Sequence, residues 1–109
     1  MATEFKSINT GSIANGSSDE ETWTPNRDIT IKKMMLTERD GQALDGAQVY
    51  ISIAGNVYTK DFVPGSVIGQ DPEYCWKPDL KVLKGAEIYV KVTNNTGGAI
   101  DCDIVFEYE

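Results

Sequence analysis

The sequence contains no histidine. That absence removes Ser-His-Asp and Cys-His nucleophilic sites and His-ligated zinc. Basic residues are scarce: ten Lys and Arg stand against seventeen Asp and Glu, for a net charge of −7. Neither a nucleic-acid backbone nor an anionic membrane is therefore an expected partner, since both depend on dense Lys and Arg. No apolar run approaches the ~18 residues of a membrane span; the longest are fragments such as Met34-Met35-Leu36. No glycine-rich loop of phosphate-cradling spacing follows a strand and opens a helix, so nucleotide chemistry has no support. The start, Met-Ala-Thr-Glu-Phe-Lys-Ser-Ile, lacks a basic region followed by an apolar stretch. No signal peptide is expected, and the mature chain is expected to begin near residue 1.

Cysteine is nearly absent as well. Two residues, Cys75 and Cys102, allow one disulfide at most. Cys102 falls in the inward register of an apolar strand, where a small thiol packs well, and Cys75 lies in a proline-bounded connection; a buried free Cys102 and a Cys75–Cys102 bridge both remain open.

What is present is alternation. Ile88, Val90 and Val92 oppose Glu87, Tyr89, Lys91 and Thr93; after Asn94-Asn95-Thr96-Gly97-Gly98, residues Ile100, Cys102, Ile104, Phe106 and Tyr108 oppose Asp101, Asp103, Val105 and Glu107. A period of two marks half-buried strands, because successive side chains project to opposite faces. The Asn- and Gly-rich connection predicts an antiparallel hairpin. Ala47 to Ile53 alternates in the same way, Ala54-Gly55-Asn56 supplies a tight turn, and Val57 to Phe62 is expected to return as a strand. Asp28 to Thr37 begins in period two, loses phase at Lys32-Lys33 and resumes with Met34 and Leu36. A β-bulge at the lysines restores the register, since one extra residue moves every later side chain to the other face.

The first 24 residues predict short strands around residues 3 to 8 and ending at Trp23, with a polar turn-forming stretch between them and Ile13 as an extra core anchor. This region is expected to be a partly ordered N-terminal arm. Residues 64 to 78, punctuated by Pro64, Pro72 and Pro78 and by glycines, read as a long crossing connection carrying a short strand or a single helical turn. Leu80 to Leu83 follows as a strand.

At 109 residues, with 40% hydrophobic and 25% charged residues, the chain has the size and balance of one globular domain and not of a disordered chain. Seven to nine short strands with almost no helix predict an all-β antiparallel β-sandwich spanning residues 1–109. The immunoglobulin arrangement of a tryptophan set between paired cysteines is missing, since Trp23 lies outside the frame of Cys75 and Cys102 and Trp76 directly adjoins Cys75, which favours a jelly-roll-like arrangement.

Candidate chemistry is confined to carboxylates and aromatics. Asp101 and Asp103 project from one face of the last strand about 7 Å apart. They form a weak calcium candidate, since calcium wants roughly six or more oxygens, and a remote carboxylate-only catalytic pair. A solvated sheet face with lysine partners is the simpler reading. Tyr50, Tyr58, Trp76 and Tyr89 fall on outward or loop positions and are the candidates for an interface or, alternatively, a sugar-stacking platform. Asn15-Gly16-Ser17 and Asn94-Asn95-Thr96 match the glycosylation triplet by chance in a chain expected to lack a signal.

Phe5-Lys6-Ser7-Ile8 with the polar turn of residues 11 to 18, the Trp23-Thr24-Pro25 entry to Ile29 and Ile31, the Val49-to-Phe62 segment and the Lys84-to-Tyr108 ending together give a pattern covering most of the chain. It resembles the small β-sandwich proteins on the surface of bacterial and archaeal virus particles, such as capsid decoration, turret or spike-base subunits. The resemblance implies a non-enzymatic structural subunit of the virion surface, made in the host cytoplasm. It further implies no cofactor, association into homo-oligomers such as trimers or pentamers, and binding to a major capsid or other virion protein. The alternative is an extracellular carbohydrate-binding module.

Overall fold

The computed structural model describes residues 3–59, 63–69 and 73–109. These form nine strands and one helical turn: β1 (Glu4–Ile13), β2 (Ser18–Trp23), β3 (Ile29–Glu38), β4 (Ala47–Ile53), β5 (Asn56–Val57), β6 (Val63–Pro64), α1 (Gly65–Ile68), β7 (Leu80–Val82), β8 (Ile88–Asn94) and β9 (Ile100–Tyr108). One sheet has the order β1-β9-β3-β7 and the other β2-β8-β4-β5, with β6 pairing the same strand as β5. The ladders β1·β9, β2·β8, β3·β7 and β4·β6 are antiparallel and nested one inside the next. The chain is thus one long antiparallel ribbon folded over on itself, closed by β3·β9 and β4·β8. This is the jelly-roll arrangement of an antiparallel sandwich, in which the two apolar inner faces bury one another.

Alternation translates directly into the core. Val49, Ile51 and Ile53 of β4, Ile88, Val90 and Val92 of β8, and Ile100, Cys102, Ile104 and Phe106 of β9 are all buried and belong to one cluster with Ile29, Ile31, Met34 and Leu36 of β3. The expected bulge is present: β9 pairs Tyr108 with Ile31 but Glu107 with Lys33, so Lys32 is the extra residue. Ile29 and Ile31 before it, and Met34 and Leu36 after it, consequently reach the same interior. Ile13 anchors the end of β1 at 3% exposure, as its isolated position among polar residues predicted.

Three local expectations are corrected. Residues 88–108 do not form a hairpin: β8 pairs with β2 and β4, β9 with β1 and β3, and the connection crosses from one sheet to the other. Period two reports which side of a strand meets the core; two strands facing each other across a sandwich carry the same pattern as two neighbours in one sheet. Of the expected strand from Val57 to Phe62, Val57 pairs with Ser52, Tyr58 and Thr59 lie outside the strands, and Lys60 to Phe62 lie outside the described residues. Its tight turn is as expected, with Ala54 and Gly55 both at positive φ, the pattern of the two-residue hairpin turn that matches strand twist. The first 24 residues, expected as a partly ordered arm, are instead drawn into the sheets from Glu4 to Trp23, because β9 and β8 each present a complete backbone edge to them.

The proline-punctuated connection carries the single turn α1 and then packs along β3. The Met34 N–H donates to the Trp76 carbonyl at 2.9 Å, the Leu36 N–H to the Gly69 carbonyl at 2.8 Å, and the Trp76 N–H to the Ile68 carbonyl at 2.8 Å. Gly69 has φ of 90°, and a Cβ there would collide with the Tyr74 carbonyl oxygen, so this close approach requires glycine.

Asn94 holds the corner between β8 and β9. It is 0% exposed, and its amide donates to the carbonyls of Ile13 (2.8 Å) and Gly98 (2.7 Å) while its Oδ1 accepts from the Thr96 N–H (2.9 Å) and hydroxyl (2.7 Å). A buried amide with all these partners ties the β1–β2 corner to the β8–β9 corner. An Asn in this position has no surface for a glycan, which disposes of the second glycosylation triplet.

Candidate functional site

The four aromatic candidates resolve into two pairs on different parts of the molecule. Tyr50 of β4 and Tyr89 of β8 lie on the outer face of their sheet, since Val49, Ile51, Ile88 and Val90 occupy the inner one. Their rings meet edge-on at 6.0 Å. The register sets Lys91 opposite both Tyr50 and Glu20, and places Thr22 and Ser52 on either side of Tyr89. Burial raises the Tyr89 hydroxyl above its ordinary pKa, and a hydrogen bond to Glu20 adds to this. Lys91 Nζ stands 4.0 Å from the same carboxylate. The result is a half-buried aromatic pair with a mixed polar rim on an open sheet face.

Tyr58 and Trp76 form the second pair, with ring centroids 6.0 Å apart. They stand at a cleft of about 330 Å³ on the side of the sandwich, with Ile51, Thr59, Val63, Ile68, Cys75 and Lys77 completing its walls. Among the described residues β4 pairs β6 at Gln48 and Val49 and β5 at Ser52 and Ile53, and the cleft lies beside Ile51 between these two pairings. There the Ile51 N–H donates to the Thr59 hydroxyl at 3.1 Å and the Ile51 carbonyl accepts from the Tyr58 N–H at 2.9 Å. Trp76 packs against the core cluster, and Tyr58 is 41% exposed. A largely apolar, aromatic-lined concavity of this size is at the lower end of small-ligand sites, about 300 to 1,000 Å³.

Asp101 and Asp103 do lie on one face of β9, but the groups between them are donors. Arg39 Nε and Nη2 donate to the two oxygens of Asp103 at 3.0 and 3.1 Å, and Arg39 Nε is 4.0 Å from Asp101. Asn9 Nδ2 donates to Asp101 at 2.6 Å and to Asp103 at 3.1 Å. A break in the β1·β9 register between Asn9 and Ser12 aims the Asn9 side chain there. The calcium candidate meets a competitor here: the Arg39 guanidinium supplies positive charge and the Asn9 amide a neutral N–H donor, and among the described residues no group of three or more acidic or thiol side chains could hold a metal ion. Arg39 holds the Asp103 carboxyl below its ordinary range, with burial opposing and Asn9 adding.

Glu38, at the end of β3, completes this corner. Its carboxylate accepts the backbone N–H groups of Asp40 (2.7 Å), Gln42 (2.9 Å) and Asp101 (2.9 Å). Burial pushes its pKa up, but the three donors outweigh burial and the group stays ionised below the usual carboxylate range. Glu38 lies opposite Cys102 in the ladder. Burial first, and then the negative charges of Glu38, Asp101 and Asp103, push the Cys102 thiol up to about 12. It is a packing residue, not a nucleophile. Cys75 and Cys102 are not bridged, which settles the alternative left open by the sequence.

A second concavity, of about 220 Å³, opens at the end of the sandwich among Glu4, Trp23, Asn26, Arg27 and Tyr108. Arg27 donates to Glu4 at 2.9 Å and lies 5.7 Å from the centre of the Tyr108 ring, whose neighbour Trp23 is 5.0 Å away. Along β2 the inward positions Asp19 and Glu21 are carboxylates; burial raises both pKa values, and the two groups are hydrogen bonded to each other.

The sequence offers Tyr50, Tyr58 and Tyr89 as outward candidates and Trp76 as a loop candidate, but it does not show their pairing. Arg39 and Asn9 carry no signal, because their partners on β9 lie far along the chain and strand register alone brings them together; the same holds for the bond from the Asp101 N–H to Glu38. Comparison with protein-family models, curated proteins and solved structures finds no match to this chain.

Proposed function

We propose that the protein is a non-enzymatic structural subunit that self-associates and binds a particle lattice, as a virion or capsid surface protein does. The observation that carries this reading is the Tyr50–Tyr89 pair on the open face of the β2-β8-β4 sheet. Aromatics bring large contact area at low entropic cost and are characteristic of interface centres, and the polar rim of Glu20, Lys91 and Thr22 fits the usual anatomy of such a patch. The jelly roll itself is a frequent architecture of capsid subunits, which is an argument from fold analogy. In this reading the acidic residues of β9 serve the fold through Arg39 and Asn9, and the partners are further copies of this chain and a virion protein. Light scattering of the purified chain at high micromolar concentration, together with its recovery from purified particles, tests the proposal. A sharp monomer that is absent from particles overturns it.

The Tyr58–Trp76 cleft favours a second reading, an extracellular carbohydrate-binding module, because paired rings beside a polar hydroxyl and an ammonium group suit sugar stacking. Glycan-array binding that is lost in Trp76→Ala and retained in Tyr89→Ala supports this reading over the first.

A further inference from the structure

A sandwich leaves four sheet edges, and here they are unequal. β7 is three residues long, and β5 and β6 are two each, too short to template a partner strand. β2 is longer but carries Asp19, Glu20 and Glu21 in succession, the kind of charge that keeps an edge from pairing. β1 runs for ten residues, is paired only with β9, and lies at the end of its sheet. Its first half, Glu4 to Ser7, is exposed throughout, and Phe5 is 63% exposed on the outer face, opposite Glu107. Among the described residues it is the long edge without a guard of like charges.

The sequence of that edge is complementary to itself. An antiparallel pairing of two β1 strands with Phe5 on the two-fold axis sets Glu4 opposite Lys6 of the second copy and Lys6 opposite Glu4, with the two Phe5 rings adjacent on the outer face. Glu4 and Lys6 share one face, because β9 pairs them with Tyr108 and Phe106. Within its own chain Glu4 already binds Arg27 at 2.9 Å, whereas the Lys6 ammonium has no partner among the described residues. Shifting the pairing by one residue sets Glu4 against Ser7 and Phe5 against Lys6, which loses both ion pairs.

We infer that the free edge of β1 is a homodimer contact, in which two copies join antiparallel about Phe5 and fuse their β1-β9-β3-β7 sheets into one continuous sheet. The inference rests on the self-association reading above and adds to the Tyr50–Tyr89 face a second, separate contact on the other sheet. Cross-strand opposite charges stabilise and like charges destabilise such pairs, and the two-fold axis makes each substitution act twice.

The test is sedimentation equilibrium on the full chain. Lys6→Glu, which breaks no intrachain ion pair among the described residues, is expected to weaken dimerisation by about tenfold or more. Glu4→Lys is expected to weaken it similarly, with its melting temperature followed because Arg27 also loses a partner. Mixing the two variants is expected to restore dimerisation as a heterodimer, since one copy then carries carboxylates at both positions of the pair and the other carries ammonium groups at both. In a Cys75→Ser background, Phe5→Cys is expected to give a disulfide-linked dimer on mild oxidation, because directly opposed residues have Cα atoms about 4.5 to 5.5 Å apart. Self-association unchanged by both charge variants overturns this contact while leaving the structural-subunit reading standing. A monomer at every concentration overturns both.

Discussion

Arg39 and Asp103 meet in a two-pronged contact across the corner between β3 and β9, with Nε and Nη2 3.0 and 3.1 Å from the two carboxylate oxygens. The guanidinium occupies the place that a cation would take between two aspartates. Asp103→Asn should therefore cost about 1 kcal/mol or less, given that Arg39 is more than half exposed and solvent screens the pair. Millimolar calcium should leave the melting temperature of the native chain unchanged. Stabilisation by calcium, lost in Asp103→Asn, would show the site to be a metal site after all.

The same corner sets a pH dependence. Burial raises the folded pKa of Glu38, but its three backbone donors outweigh burial and leave it depressed; that of Asp103 is depressed by Arg39 against burial. Their stabilisation is fully present above the ordinary carboxylate range and is lost as pH falls through the lower folded values. Asp19 and Glu21 have the opposite sign: burial raises both, so protonating them on the way down from neutrality stabilises the fold. Chemical denaturation across pH should show maximal stability on the acid side of neutrality and a fall below the carboxylate range. Glu38→Gln should flatten that fall, and Asp19→Asn should move the maximum toward neutral pH. An acid limb as steep in Glu38→Gln as in the native chain counts against the assignment.

Asn94 carries four side-chain hydrogen bonds at zero exposure. Asn94→Ala leaves the Ile13 and Gly98 carbonyls without this donor and opens a small void, so a loss of about 2 to 4 kcal/mol is expected in urea unfolding. Asn94→Asp should be comparably damaging, since the carboxylate oxygen in place of Nδ2 would then face two carbonyls. Asn95→Ala, on the exposed side of the same turn, serves as the control and should change stability by less than about 0.5 kcal/mol.

Ala54 sits at φ of 53° in the turn between β4 and β5. An alanine in this left-handed region carries a strain of about 1 to 2 kcal/mol that glycine or asparagine largely avoids. Ala54→Gly and Ala54→Asn should each raise stability by roughly 0.5 to 1 kcal/mol, read as a higher urea midpoint at unchanged slope. A lower midpoint in both variants would mean that the turn does not hold the chain in this conformation.

The sequence by itself determined the class of fold and the inward residues. Period two in β4, β8 and β9, the phase slip at Lys32-Lys33 and the lone Ile13 each translated into a buried face, because the interior is dry and the alternation of side chains is a property of the extended backbone. Only the tertiary structure decided which strands are neighbours. Residues 88 to 108 carry the pattern of a hairpin yet straddle two sheets, since burial is satisfied equally by a partner alongside and a partner across the core. For the same reason the pairs Tyr50–Tyr89, Tyr58–Trp76, Arg39–Asp103 and Asn94–Ile13 were not legible: each depends on register between distant segments, and register is set by packing and backbone hydrogen bonds that form only when the ribbon has folded over.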